Sequence, residues 1–342
     1  MRYIGIDVSK ATLMVAYPQD NKKYKTREFQ NTSNGIHTLI ATLQADDHCV
    51  MEATGNYSYL LLYLLDKAGI CTSMENPLKV KNFARSMLTV TKTDKADAKL
   101  LSLYGERMKP EPYKIPSEAL LLLKQKRAVL RQFKKQLLAN NNLKKALEAM
   151  PEQDHKAIEA IEKVTITLEE QIKAVEKELN TLTQAEFNQQ MSRLTTIKGV
   201  GTTLAAALII TTGGFTYFDN AKQVSRYLGL CPTYQQSGTS IHVKGHINRN
   251  GDPYLRAQLY TASWSMIKYN TACRELFTRL KERGKSGKLA LVAVMNKVIR
   301  QSFAVVKHNT DYQDGFVSKN PQPLPAGSAC RQGSVGTLPT RQ

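Results

Sequence analysis

The first 110 residues alternate short apolar runs with turn residues in an order that few folds accommodate. Arg2–Val8 reads as a strand, Ser9-Lys10 as a turn, and Ala11–Tyr17 as a second strand folding back on the first. Lys25–Gln30 alternates weakly and supplies a third strand. Ser33 reads as the cap of a helix that holds Ile36, Leu39, Ile40 and Leu43 on one face. His48–Ala53 is a fourth strand, leading through Gly55 into a helix over Tyr57–Ala68. Ile70–Met74 is a fifth, halted by Asn76-Pro77, and helices over Leu78–Met87 and Asp94–Arg107 follow.

Three strands, then alternating helix and strand, is the order of an RNase H-like α/β domain, in which the first and fourth strands are neighbours. Asp7 near the end of the first strand and Glu52 at the end of the fourth are therefore expected at adjacent strand ends. Asp94 and Asp97, three apart at the start of a helix, share one face. Four carboxylates in one place repel unless a cation holds them, and hard oxygen donors favour Mg²⁺. Two such ions would flank a scissile phosphate, one at the attacking and one at the leaving oxygen. Each acid alone has a plainer reading. Asp7 suits a turn and Glu52 a solvated loop, while Asp94 and Asp97 complement a helix dipole, with Thr91-x-x-Asp94 resembling a capping box. Their joint order favours metal. A Gly-Ile-Asp strand also opens sugar kinases and actin-like ATPases, but the second, Asp-Gly-Gly-Thr type phosphate hairpin those need is missing from the sequence.

The net charge of +19 is concentrated: residues 1–110 carry +4, residues 111–191 +1 and residues 192–342 +14. A polyanionic partner follows, with most of the attraction in the last part. No apolar run reads as the roughly 18 to 20 residues that span a bilayer, so nucleic acid is expected rather than membrane. The five cysteines are odd in number and form no C-x-x-C pair, which fits a reducing cytoplasm and no zinc or disulfide framework.

Residues 117–190 read as two long helices broken at Met150-Pro151. In the second, Ile158, Ile161, Thr165, Leu168, Ile172, Val175, Leu179 and Leu182 step by three and four, the pattern of a coiled-coil seam. The first helix is basic and the second acidic, which suits an antiparallel hairpin within the chain or between subunits; two solvated amphipathic helices are the alternative. The expected domains are thus 1–110, a 111–191 connector, a mostly α 192–312 domain, and a disordered tail over 313–342.

In the basic part, Leu194–Ala205 resembles a helix-hairpin-helix, with Lys198, Gly199 and Gly201 placed to meet a phosphate; a glycine turn between packed helices is the plainer reading. Further on, Ser237-Gly238 is a weak nucleophile signal in itself, although Lys244, Arg249 and Arg256 could bind a phosphate and stabilise its developing charge. Tyr234 is a second hydroxyl that chemistry leaves open. His242 and His246 read as phosphate or structural contacts, since Gly245 argues against a helical metal pair.

Tyr3-Ile4-Gly5-Ile6-Asp7-Val8-Ser9-Lys10, Met51-Glu52-Ala53-Thr54-Gly55 and Lys92-Thr93-Asp94-Lys95-Ala96-Asp97-Ala98 resemble the DEDD signature of the insertion-sequence 110 family of transposases, which includes the pilin-gene inverting recombinases. The resemblance runs on through Ile197–Gly201, Gly229-Leu230, Ser237-Gly238 and Gly251 to Leu255-Arg256, covering about residues 2–310. It implies a RuvC-like domain, a coiled-coil connector and a C-terminal transposase domain. It assigns the metal-binding role to Asp7, Glu52, Asp94 and Asp97, and makes Ser237 the nucleophile of a transient phosphoserine link to DNA. It also implies homo-oligomers with composite sites and, in some members, a guide RNA encoded by the element. A bacterial, nucleoid-associated location goes with these implications. The expected function is transposition of the chain's own element. A site-specific invertase, a RuvC-like structure-specific nuclease and a catalytically dead nucleic-acid-binding protein are the alternatives.

Overall fold

The computed structural model describes residues 2–53, 55–88, 93–237, 241–248 and 251–315; for Lys22, 233–237 and 241–246 the description stops at the backbone. The chain divides into two compact units, Met1–Ser117 and Glu118–Gln342.

The first unit is built on a five-stranded sheet of β1 (Arg2–Val8), β2 (Thr12–Pro18), β3 (Tyr24–Gln30), β4 (Asp47–Glu52) and β5 (Cys71–Glu75), in the order β3-β2-β1-β4-β5. β1 to β3 form an antiparallel meander, and β4 and β5 run parallel to β1. β1 and β4 are thus neighbours, as the strand order requires. Because strand side chains alternate, Ile4, Ile6, Leu13, Val15, Cys49 and Met51 share one face. There they meet Ile36 and Leu39 of α1 (Ser33–Ile40) and Leu61, Leu62 and Leu65 of α2 (Tyr59–Lys67). The other face takes α3 (Pro77–Ser86) and α4 (Asp94–Met108): Val50 packs with Val80, Leu101 and Tyr104, and Ala16 with Ala98. The α1 cap is Thr32, whose hydroxyl accepts from the Gly35 N–H at 3.3 Å, rather than Ser33, which is already helical.

At the sheet edge a short relay ties down the end of the unit. Ser73 Oγ donates to the Glu111 carbonyl at 2.6 Å and stands 2.7 Å from His48 Nε2. With the serine proton committed, Nε2–H is the donor in that pair and Nδ1 faces Cys71 Sγ at 3.5 Å. Burial lowers the His48 pKa, which fits this neutral imidazole.

The second unit starts with two long helices, α5 (Glu118–Glu148) and α6 (His155–Glu186). Ion pairs Lys126–Glu178, Lys134–Glu176 and Lys144–Glu162 join residues advancing along α5 to residues receding along α6, so the two helices pair antiparallel within one chain. Ile172 and Leu179 are buried, Leu179 in the core of the unit with Leu123, but Leu182 is 37% exposed and Thr183 fully buried. The inward stripe thus moves by one residue at its end, where the 3.6-residue turn outruns a seven-residue repeat. The hairpin is followed by α7 (Asn188–Thr195), α8 (Thr202–Thr212), α9 (Ala221–Tyr227), α10 (Pro253–Tyr269), α11 (Thr271–Glu282) and α12 (Gly287–Lys307). α8 is apolar nearly all round and lies at the centre of the core with Leu255, Leu259, Val294 and Val298.

Three expectations are revised in this unit. A two-stranded antiparallel sheet, β6 (Pro232–Ser237) and β7 (Ile241–Ile247), interrupts the helices. α12 is long and apolar enough to cross a membrane by length and composition. Ala290, Leu291, Val294, Met295, Val298 and Ile299 of this helix are buried in the core. Finally, packing continues past Gln313. Tyr312 N–H donates to Thr196 Oγ1 at 2.8 Å, and Asp314 accepts from the Thr271 N–H at 3.2 Å and its hydroxyl at 2.9 Å. The rest of the expected tail, 316–342, lies outside the described residues.

Candidate active site

The parallel register of β1 and β4 ends with Ile6 opposite Met51. The next residues are Asp7 and Glu52, so the two acids stand side by side at strand ends about 4.8 Å apart. Both continue the face carrying Gly5 and Val50, the face that α4 covers. α4 is pinned closely there. Ser102 Oγ donates to the Tyr3 carbonyl at 2.6 Å, and a Cβ built on Gly5 would come within 2.0 Å of the Ala98 carbonyl oxygen. A Cβ on Gly105 would touch Tyr3 and Val50. Going down α4 from Gly105 through Ser102 to Ala98 therefore means going up β1 from Tyr3 to Gly5. The remaining step leads to the first turn of α4 and to Asp7. Thr93 caps that turn, its hydroxyl accepting from the Ala96 N–H at 3.2 Å, and Asp94 and Asp97 lie in the first turn that follows. Thr91 of the anticipated capping box, like Thr54 and Lys92, is outside the described residues.

All four acids thus belong to one end of one sheet face, with Asp7, Glu52 and Asp97 half-buried and Asp94 exposed. Their oxygen donors are of the kind Mg²⁺ takes. Yet among the described residues no three His, Cys, Asp or Glu side chains gather closely enough to hold a metal ion. The residues fit a divalent ion in donor type and backbone position, but not in side-chain convergence.

Glu75 is a carboxylate the sequence reading passed over. It pairs with Glu52 across β4 and β5 and is buried. Its Oε2 accepts from the Tyr104 hydroxyl at 3.3 Å and lies 3.0 Å from Lys79 Nζ. Burial and the nearby Glu75 push the Tyr104 phenol up to about 12. Lys79 supplies the cation at Glu75, so this acid buttresses α3 and α4 against the sheet. Its signal in the sequence was only a Glu ending a strand.

In the second unit, α7, the Thr196–Gly201 turn and α8 form a helix-turn-helix path. Gly199 has φ +93°, and an added Cβ would meet Met266 at 2.7 Å, so α10 occupies the space its missing side chain leaves. Gly201 faces open space within 4 Å. Lys198 Nζ lies 3.1 Å from the Asp314 carboxylate. Burial pushes the Asp314 carboxyl up, but bonds from Thr271, Lys198 and Tyr312 outweigh it and hold the group below its usual range. Arg256 is half-buried and donates to the Leu228 carbonyl at 3.2 Å, a bond that holds α10 to the turn after α9. Ser237 ends β6 and pairs with Ile241 in the backbone ladder. Its side chain, that of Lys244, and the whole of Arg249 lie outside the described residues.

Comparison with known proteins covers both units. Residues 191–278 match a family model described as "Transposase IS116/IS110/IS902 family", and residues 4–151 match the IS110 DEDD model, described as "Transposase". The "Pilin gene-inverting protein" of Moraxella bovis is 30% identical over 323 residues, 91% of this chain and 97% of that protein. An insertion element IS110 protein of Streptomyces coelicolor is 33% identical over 144 residues, 42% of this chain and 35% of its own. A solved structure of RuvC from Thermus thermophilus covers 33% of this chain and 100% of its own at 16% identity, with a TM-score of 0.25, too low to carry weight.

Proposed function

Because the chain belongs to the IS110 family of transposases, we propose that it is a DNA recombinase that cuts and rejoins DNA through Asp7, Glu52, Asp94 and Asp97 and through Ser237. The observation that supports this most is the register that leaves Asp7 and Glu52 next in line after the paired Ile6 and Met51, on the face that carries α4. In this reading the four carboxylates hold divalent metal, most naturally Mg²⁺. When bound, it would lower the barrier to phosphodiester cleavage by stabilising charge on the attacking and leaving oxygens. The first turn of α4 brings the positive end of the helix dipole to Asp94 and Asp97, where it complements their negative charge.

Ser237 is the proposed nucleophile. Its Oγ attacks phosphorus, the hydroxyl proton passes to a general base, and the bond to the leaving deoxyribose oxygen breaks. The product is a phosphoserine diester that conserves the energy needed for rejoining. Attack of a DNA hydroxyl on that diester releases the serine.

The test is an excision assay on DNA carrying the element's ends, with Mg²⁺ and then with chelator, followed by denaturing gels for a covalent protein–DNA adduct. Metal-dependent excision and an adduct that Ser237→Ala removes are expected. Excision without the adduct would point to a RuvC-like nuclease instead. A second reading, site-specific inversion of a chromosomal segment, is favoured by the end-to-end match with the pilin gene-inverting protein. Inverting a segment between two fixed sites, with no movement to new sites, would select it.

A further inference from the structure

The second unit holds a cleft of about 1050 Å³ apart from the acids and the hairpin turn. Two helix faces wall it. On α11, Glu275, Arg279 and Glu282 recur at intervals of four and three, and on α12 Asn296 and Lys297 lie one turn before Arg300. α9 adds Lys222, and Cys231-Pro232 close the end at which β6 begins. With Arg274, five cations face two acids. Arg274 is already engaged, donating to the carbonyls of Ile267 and Lys268 at the end of α10. Among the described residues no ion pair engages Lys222, Arg279, Lys297 or Arg300, whereas Lys126, Lys134 and Lys144 of α5 are each paired with a glutamate of α6. Asn296 Nδ2 donates to the Leu230 carbonyl at 3.0 Å, which locks α12 to the segment leading into β6.

Four cations without carboxylate partners, supplied by three elements around one cleft, repel one another and focus a positive potential. We propose that this cleft binds a nucleic-acid phosphodiester backbone and holds it at the root of the β6–β7 hairpin. Ser237 stands five residues along β6 from Pro232, about 17 Å of extended chain. The choice of ligand rests on the recombinase reading. A single small anion would need convergent donors, whereas these lie on three separate elements, as contacts to successive phosphates do.

The test is equilibrium binding by fluorescence anisotropy, in chelator, with duplex DNA and single-stranded RNA of equal length across about 50 to 200 mM salt. The triple variant K222Q/R279Q/R300Q removes three exposed charges; thermal melting checks its fold. For duplex DNA the log–log salt slope should become shallower by about three, with affinity at least ~10-fold weaker at low salt. R279K/R300K should restore the slope, and K163Q on α6 should change neither quantity. A loss with RNA alone assigns the cleft to RNA. Unchanged binding of both nucleic acids, or an equal loss in K163Q, overturns the proposal. Binding alone is read and metal is absent, so a failure of the acid or serine roles leaves this result standing.

Discussion

Gly5 and Ala98 meet with no room for a methyl group: a Cβ on Gly5 would lie 2.0 Å from the Ala98 carbonyl oxygen and 2.4 Å from the Ser102 nitrogen. Backbone atoms, not flexible side-chain ends, are what it would strike. This contact sets how deeply α4 sits on the sheet, and hence where Asp94 and Asp97 stand relative to Asp7.

Gly5→Ala should therefore lift α4. Overpacking of this kind costs about 1–3 kcal/mol and occasionally more; with backbone on both sides, the upper end is expected. Chemical denaturation of the purified variant measures it. Recombination should be lost even where the folded fraction is restored by cooling. Near wild-type stability and activity would show that α4 can slide without consequence.

Asp7→Ala and Glu52→Ala should each abolish recombination, a loss of at least ~100-fold, with DNA binding largely retained. Chelator should do the same to the wild-type chain, and Mg²⁺ should reverse it. Full activity of either variant would remove the metal role from these acids.

Arg127 and Asp252 form an ion pair at 2.9 Å with side chains only 12% and 13% exposed. Asp252 also caps α10, its Oδ1 accepting from the Tyr254 N–H at 2.9 Å. Burial pushes the Arg127 guanidinium down, and Asp252 opposes that shift. Asp252→Ala leaves a buried cation without its partner and should cost about 3–5 kcal/mol. The double variant D252A/R127M should recover part of the loss. Urea unfolding of the two proteins decides the matter, since equal losses would mean the charge pair is irrelevant.

His48 makes stability depend on pH. Its folded-state pKa is lowered by burial, so below about 6.5 the unfolded chain takes up a proton that the folded chain refuses. Stability is full above that pH and falls as pH drops toward the folded pKa, then levels off. The urea midpoint of the first unit's transition, followed from pH 7.5 to 5 (about one point per half unit), should decline in the wild type. The decline should be smaller in His48→Gln.

The strand ends of the first unit were legible because alternating apolar residues and turn formers carry them locally: Arg2–Val8 is read and found with the same limits. Neighbourhood of β1 and β4 followed from strand order, and with it the backbone relation of Asp7 to Glu52. Glu75 was not legible, since its place opposite Glu52 depends on register rather than on any motif. β6 and β7 were missed although Thr233-Tyr234 and Ile241-His242-Val243 flank a Ser-Gly pair in the sequence, a usable hairpin signal. α12 was misjudged because Lys288, Lys297, Arg300 and Lys307 break up the apolar run in the sequence, while Ala290, Leu291, Val294, Met295, Val298 and Ile299 between them are buried in the core. The packing of Gly199 on Met266 joins residues 67 positions apart, a distance that no local pattern encodes.

Arg127 anchors α5 to Asp252 and to Thr211 of α8, while Lys144 and Glu162 make a pair far along the α5–α6 arm. From Arg127 to Met150 the arm runs about 35 Å at 1.5 Å per residue. A stiff rod of that length is a lever: a tilt of about 10° at its foot sweeps the Met150-Pro151 tip through about 6 Å. Small repacking at the Arg127–Asp252 fulcrum would therefore be read out at the tip as a displacement longer than a helical turn.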